Sequence, residues 1–208
     1  VMTRVALLDY GMGNLHSAAK ALEHVGATVD VTNDPKLIAK ADKIVFPGVG
    51  AMRDCMQGMR DAGIDEVVRH AAFNKPVLAI CVGMQALLER SEENGGADAL
   101  GIFEGVVKHF PDIDGLKVPH MGWNQLERVG EHALLNGLGA DEYAYFLHSY
   151  RVPVGPATVA AATHGERFSA IVAQGNVMGT QFHPEKSRET GALLLDNFLG
   201  MLTMETVS

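Results

Sequence analysis

Through its first half the chain alternates short apolar runs with segments of helical spacing, and nothing else in it constrains the fold so tightly. The runs "VALLD" (5–9), "ATVDVT" (27–32), "KIVFPGVG" (43–50) and "KPVLAIC" (75–81) read as strands. "NLHSAAKALEHVG" (14–26), "AMRDCMQGMRDAG" (51–63), "IDEVVRHAAF" (64–73) and "MQALLER" (84–90) read as helices. Strands that are apolar on both faces must be covered on both faces, as in a parallel sheet wrapped by crossover helices. The second half changes character. "GVVKHF", "LKVPHMGWNQL", "EYAYFLHSYRV", "ATVAAAT", "FSAIVAQG" and "VMGTQFH" are closely spaced strand candidates broken by Gly, Pro and Asp, predicting an antiparallel extension of the sheet. "GALLLDNFLGMLTM" (191–204) has the length and apolar content of a closing helix. The expected class is α/β: a mostly parallel central sheet flanked by helices, with antiparallel strands in the C-terminal half.

With 208 residues, 47% of them apolar, and no linker, repeat or low-complexity segment, the chain is expected to form a single domain over 1–208. The formal charge of −8, with no dense Lys/Arg cluster, argues against a nucleic-acid or anionic membrane partner. No apolar run approaches the roughly 18–20 residues of a membrane helix. The opening "VMTRVALLDYG" is expected to be a first strand and not a secretory signal. Two cysteines, Cys55 and Cys81, form neither a disulfide framework nor a CxxC metal pair, so a reducing cytoplasm is expected and no metal site.

In open parallel sheets, ligands sit beyond the carboxyl ends of the strands. Two features fall there. Cys81 ends the run "VLAIC" and a helical segment follows at once, with Gly83 easing the turn. A residue on so sharp a strand-to-helix turn projects into the crevice, as the serine of a nucleophile elbow does. Thiols at helix N-termini ionise more readily, and the Val82 amide that follows faces a developing oxyanion. A buried cysteine can equally be a small hydrophobe, and position alone leaves both readings open. Cys55, mid-helix, reads as structural. The second feature is "FPGVGAM" (46–52), where glycines let free amides approach a ligand; the Gly50 amide is the candidate second oxyanion donor. It lacks the Gly-Lys-Ser/Thr ending of a phosphate-binding loop. "DYGMGNLHS" (9–17) carries Gly-x-Gly, but His16 stands at the third glycine position, so a dinucleotide site is not expected.

A thiolate needs a base, and there are nine histidines. His16, His24 and His70 lie on predicted helices; His132 and His164 lie in polar loop sequence and read as solvated. His183 differs, because "FHPE" ends a strand. If Pro184 keeps the chain extended, His183 and Glu185 point the same way, and the carboxylate can orient the imidazole.

Together these pieces resemble the class I (triad-type) glutamine amidotransferases, and among them the glutaminase subunits of imidazole glycerol phosphate synthases. The resemblance rests on six ordered motifs across nearly the whole chain: "DYGMGNLHS", "PGVGAM", "CVGMQALLERSEE", "PHMGWNQ", "YFLHSYRV" and "GTQFHPEKS". It implies a flavodoxin-like fold, L-glutamine as substrate, and ammonia passed to a (β/α)₈-barrel cyclase as heterodimer partner. It implies Cys81, His183 and Glu185 as a catalytic triad, the Gly50 and Val82 amides as an oxyanion hole, and Gln85, Ser149 and Tyr150 as substrate contacts. Asn14, Met121, Trp123, Tyr145 and Lys186 match positions facing the partner. Trp123, the only tryptophan, can be a core residue of its strand or an interface anchor, and the resemblance favours the interface.

One departure stands out. The family commonly shows Gly-x-Cys-x-Gly at the elbow, and here the first position is Ala79. In "PGVG", Val49 is β-branched where a flexible glycine can sit. The resting loop is therefore expected to aim a carbonyl into the oxyanion hole until the partner binds, leaving the isolated chain a poor glutaminase. Rival readings are the glutaminase of another complex, such as those of pyridoxal phosphate or anthranilate synthesis, a self-sufficient γ-glutamyl hydrolase, and a catalytically silent regulatory module.

Overall fold

The apolar runs of the first half become the middle of an eight-stranded sheet. The computed structural model describes residues 2–203. In chain order the strands are β1 (Arg4–Leu8), β2 (Thr28–Thr32), β3 (Lys43–Gly48), β4 (Val77–Cys81), β5 (Arg90–Ser91), β6 (Ala97–Asp98), β7 (Val106–His109), β8 (His120–Gln125), β9 (Glu127–Arg128), β10 (Tyr143–His148), β11 (Tyr150–Arg151), β12 (Thr158–His164), β13 (Glu166–Gln174) and β14 (Val177–Thr180). The helices are α1 (Leu15–His24), α2 (Pro35–Lys40), α3 (Met52–Asp61), α4 (Ile64–Ala71), α5 (Val82–Gln85) and α6 (Arg188–Gly200). The large sheet runs β2-β1-β3-β4-β14-β13-β12-β9, parallel through the first five strands and antiparallel through the last three. Every residue of β3, β4 and β14 is buried, as strands covered on both faces require. From β1 the chain crosses to β2 on one side and then returns to β3 on the other. That reversal opens a crevice at the carboxyl ends of the strands, where β3, β4 and β14 all stop.

Four features differ from expectation. The segment 84–90 is not a helix of that length. Helix α5 ends at Gln85, because the carbonyls that would continue it are taken from outside: Leu100 N donates to Ala86 O at 2.8 Å, and Ile102 N and Phe103 N both donate to Leu87 O at 2.9 Å. Tertiary hydrogen bonds override helical spacing here. Next, the antiparallel strands do not all extend one sheet. Strands β8 and β10 form a separate two-stranded ribbon, and β11-β7-β5-β6 form a small sheet. Helix α2 has no counterpart among the predicted helices, although Asp34-Pro35 carries a start signal: Asp34 Oδ1 accepts from Lys36 N at 2.9 Å and Pro35 opens the first turn. The closing helix runs over Arg188–Gly200, three residues earlier than expected at its start; Met204, the end of the predicted segment, lies outside the described residues.

Candidate active site

Cys81 is the last residue of β4 and the residue on which α5 starts. Its backbone has φ 56° and ψ −115°, a conformation L-residues avoid at a cost of about 1–3 kcal/mol. The cysteine itself thus makes the sharp turn, and its neighbours make room for it. Gly83, expected to ease the turn, does so by close approach. A Cβ there would lie 2.7 Å from Phe46 O, and one at Gly48 would lie 2.6 Å from Gly83 N. The end of β3 and the start of α5 therefore touch backbone to backbone. Ala79, fully buried, sits in register between Phe46 and Gly179. Gly179 beside it packs against Met84, whose Cγ a Cβ there would meet at 2.6 Å; nothing in the structure explains alanine at 79 where a glycine is usual.

The imidazole reaches the thiol from β14. After Thr180 the chain bends, and His183 N donates to Tyr145 O at 3.0 Å. His183 Nδ1 donates to Glu185 Oε1 at 2.7 Å. The pairing was expected from extended backbone; instead Pro184–Lys186 is one turn of 3₁₀ helix, and the turn swings Glu185 back onto His183. Ser187, 1% exposed, fixes this turn: its Oγ donates to His183 O at 2.7 Å and accepts from Tyr145 N at 3.0 Å. With Nδ1 committed to the carboxylate, Nε2 is the nitrogen left for the thiol. Burial lowers the affinity of His183 for a proton, but hydrogen bonds to Cys81 and Glu185 outweigh it and push the pKa up to about 10. Glu185 Oε2 is buried with no hydrogen-bond partner, so the carboxylate's bonding is directed at His183. Gln181, buried behind them, points Nε2 toward Cys81 Sγ at 3.9 Å. Cys55 is different: burial pushes its thiol up to about 11, and its Sγ lies 3.3 Å from Tyr10 Oη, which also donates to Pro47 O. It packs beneath the glycine loop, as expected of a structural cysteine.

A cleft of about 210 Å³ opens over Cys81. On one side are Val49, Gly50 (φ 79°) and Val82. On the other are Leu147, His148, Ser149 and Tyr150, with His183 above the thiol and Gln85 and Glu93 lining the remainder. The structure thus brings together Cys81, His183, Gly50, Val82, Gln85, Ser149 and Tyr150. Gln85 Nε2 is already spent on Tyr150 O (2.9 Å) and Gln181 Oε1 (3.0 Å), which leaves Oε1 as its ligand-facing atom. Glu93 was not singled out from the sequence, where "SEENGG" reads as a polar loop. It sits at the cleft because its Oε2 accepts from Met52 N at 2.9 Å, tying that loop to the uncapped start of α3. A thiol, an imidazole oriented by a carboxylate, and amides at the turn form an arrangement that can carry acyl transfer.

The residues matched to a partner face lie largely beside the cleft. Met121 (66% exposed) and Trp123 (46%) project from β8, opposite Leu147 and Tyr145 on β10. Trp123 and Tyr145 meet edge to face, and the Arg188 guanidinium lies 5.4 Å from the Trp123 ring centre. Trp123 is therefore a surface residue and not a core one. Lys186 is exposed on the turn after His183. Asn14 is exposed at the start of α1, where its Oδ1 accepts from Ser17 N at 3.2 Å and caps the helix. His132 and His164 are not simply solvated. His132 is half-buried and accepts from Leu134 N, and His164 stacks on His120 with ring centres 4.3 Å apart. Among the described residues, no helix is long and apolar enough to cross a membrane.

Comparison with known proteins converges on one group. The model of the family "Glutamine amidotransferase class-I" matches residues 6–201. "Imidazole glycerol phosphate synthase subunit HisH" of Acinetobacter baylyi is 70% identical over 201 residues, covering 95% of this chain and 98% of that protein. The proteins of that name from Methylococcus capsulatus and, as HisH 1, Pseudomonas aeruginosa are each 52% identical, over 95% and 96% of this chain and 96% and 97% of theirs. Among solved structures, PurLQS from Thermotoga maritima superimposes with a TM-score of 0.71 at 20% identity, covering 96% of this chain and 98% of that one. A structure described as a glutamine amidotransferase superimposes with 0.68, also at 20% identity, over 92% and 98%. At that identity the likeness concerns the fold.

Proposed function

The chain belongs to the class I glutamine amidotransferases, and from that membership we propose that it is the glutaminase subunit of an imidazole glycerol phosphate synthase, acting in histidine biosynthesis. It releases ammonia from L-glutamine and hands it to a (β/α)₈-barrel cyclase. The observation that carries the catalytic reading is the strained Cys81 elbow facing an imidazole held by Glu185.

In this reading Cys81 Sγ attacks the side-chain amide carbon of glutamine, its proton passing to His183 Nε2. The amides of Gly50 and Val82 receive the developing oxyanion. His183 returns the proton to the departing nitrogen, ammonia leaves, and a γ-glutamyl thioester remains. Water, deprotonated by the same imidazole, then cleaves the thioester, and glutamate departs with the thiol restored. Glu185 keeps His183 in the Nδ1–H tautomer throughout. The cleft volume suits a free amino acid. Gln85 Oε1 and Glu93 offer acceptors to its α-ammonium, and the backbone at Ser149 and Tyr150 meets its α-carboxylate. Exposed Met121, Trp123 and Leu147, with half-buried Tyr145 between them, form a strip that adjoins the cleft; this supports docking of the barrel here, where it collects the ammonia. With Val49 in the oxyanion loop, turnover rises when that partner binds.

The test is glutamate release by the chain alone, with a barrel cyclase, and with cyclase plus its nucleotide substrate. Low activity alone, strong stimulation by the pair, and loss of both in Cys81→Ala are expected. Full turnover without a partner points to a self-sufficient hydrolase, and unchanged glutaminase activity in Cys81→Ala sinks the catalytic assignment.

A further inference from the structure

Three histidines that the reaction does not use, His120, His148 and His164, gather under the β8–β10 ribbon among Phe110, Phe146 and Phe168. Two of them, His120 and His148, make a hydrogen-bonded chain whose direction is fixed by its two ends. His148 Nδ1 lies 2.7 Å from Tyr150 O, and a carbonyl only accepts, so Nδ1 carries the proton. In the neutral ring Nε2 is then bare, and it must accept from its neighbour, His120 Nδ1, at 2.9 Å. His120 Nε2 is bare in turn and accepts from Asn124 Nδ2 at 3.2 Å. Asn124 Nδ2 has a second hydrogen, which goes to Thr163 O at 2.8 Å, while its Oδ1 accepts from Gln125 N. Each hydrogen bond thus sets the tautomer of the next ring. A second proton on His148 would put N–H against N–H. Burial holds both rings neutral, lowering His148 to about 3 and His120 to about 4, and the nearby His164 and His183 push the same way on His148.

The chain joins two places that matter. Asn124 and His120 belong to β8, the strand that exposes Met121 and Trp123. Tyr150 O belongs to the cleft wall and accepts from both His148 Nδ1 and Gln85 Nε2. We propose that His148, held in one tautomer by His120 and Asn124, is a positioning residue that fixes the Ser149–Tyr150 backbone against which the substrate's amino-acid end is bound. The proposal rests on the glutaminase reading and deepens it. It assigns His148 to substrate binding and not to the chemistry at the thiol.

The experiment separates the two. In complex with the barrel cyclase, Cys81 alkylation is measured with a diazo-ketone analogue of glutamine, which needs the cleft, and with iodoacetamide, which needs only the thiolate. His148→Leu is expected to slow the first at least tenfold, to leave the second within twofold, and to raise the glutamine KM by more than it lowers kcat. His148→Gln, whose amide can donate to Tyr150 O and accept from His120, is expected to recover most of the loss. Equal slowing by both reagents, or no recovery in His148→Gln, overturns the positioning role. Because His148→Leu removes a buried polar group and can fail to fold, the wild-type protein supplies a second measurement. Nitrogen-15 NMR should find both His120 and His148 neutral, protonated at Nδ1 and bare at Nε2 between pH 5.5 and 8. A proton on either Nε2 refutes the chain. If wild-type Cys81 ignores the glutamine analogue altogether, the glutaminase reading fails; if the wild type reacts and His148→Leu reacts as fast, only the positioning proposal fails.

Discussion

At the scale of single residues, the site depends on interactions that oppose ordinary preferences. Cys81 occupies a positive-φ conformation, and His183 holds a proton more tightly than burial alone would allow, because Cys81 and Glu185 both favour the charged ring. The consequence for pH has a definite sign. The folded pKa, about 10, lies above the ordinary value of 6.5. The imidazolium therefore contributes stability that is fully present below about pH 6.5 and is lost as pH climbs through about 10. Glu185→Gln removes the carboxylate that raises His183. It is expected to lower the His183 pKa, seen by NMR titration, and to cut kcat by about 10²–10⁴-fold through loss of the oriented tautomer. An unshifted His183 would remove Glu185 from the triad. Cys81, His183 and Glu185 were legible because their chemistry shows in residue type and position. Glu93, Gln181 and Ser187 were not, because each acts through a hydrogen bond to a residue far away in sequence or to backbone, and such partners leave no local pattern.

At the scale of elements, the elbow is built by close approach of backbones. With Gly48 and Gly83 in contact across β3 and α5, no side chain fits between them. Gly83→Ala would force its methyl to within 2.7 Å of Phe46 O, a backbone atom that cannot swing aside. The expected result is a loss of about 1–3 kcal/mol in denaturant unfolding, together with at least tenfold lower kcat as α5 carries Cys81 and the Val82 amide off position. An active, fully stable Gly83→Ala would mean that the α5–β3 contact is looser than the geometry indicates. The sequence marked the strand, the turn and the glycines here, but it overextended α5 to residue 90. Helical spacing alone does not reveal that the carbonyls of Ala86 and Leu87 are bonded by the 100–103 segment.

At the scale of the whole molecule, the ribbon of β8 and β10 stands apart from the large sheet and presents an apolar strip beside the cleft. Trp123→Ala is expected to weaken binding of a barrel cyclase at least tenfold by calorimetry while shifting Tm by no more than about 1–2 °C, since the ring is 46% exposed and packs on Tyr145 and Arg188 at the surface. A Tm drop of the size a core tryptophan gives would argue against an interface role. The sequence by itself determined the parallel half of the sheet, the placing of Cys81 and the glycine loop at strand ends, and the candidate triad, because apolar periodicity, turn residues and reactive groups are local properties. Only the tertiary structure decided that the C-terminal strands split among three sheets, that Glu185 reaches His183 through a 3₁₀ turn, that Glu93 closes the cleft, and that His120 and His148 lock one another's tautomers. Those outcomes depend on strand partners and hydrogen bonds between distant residues, and such pairings exist only once the chain has folded.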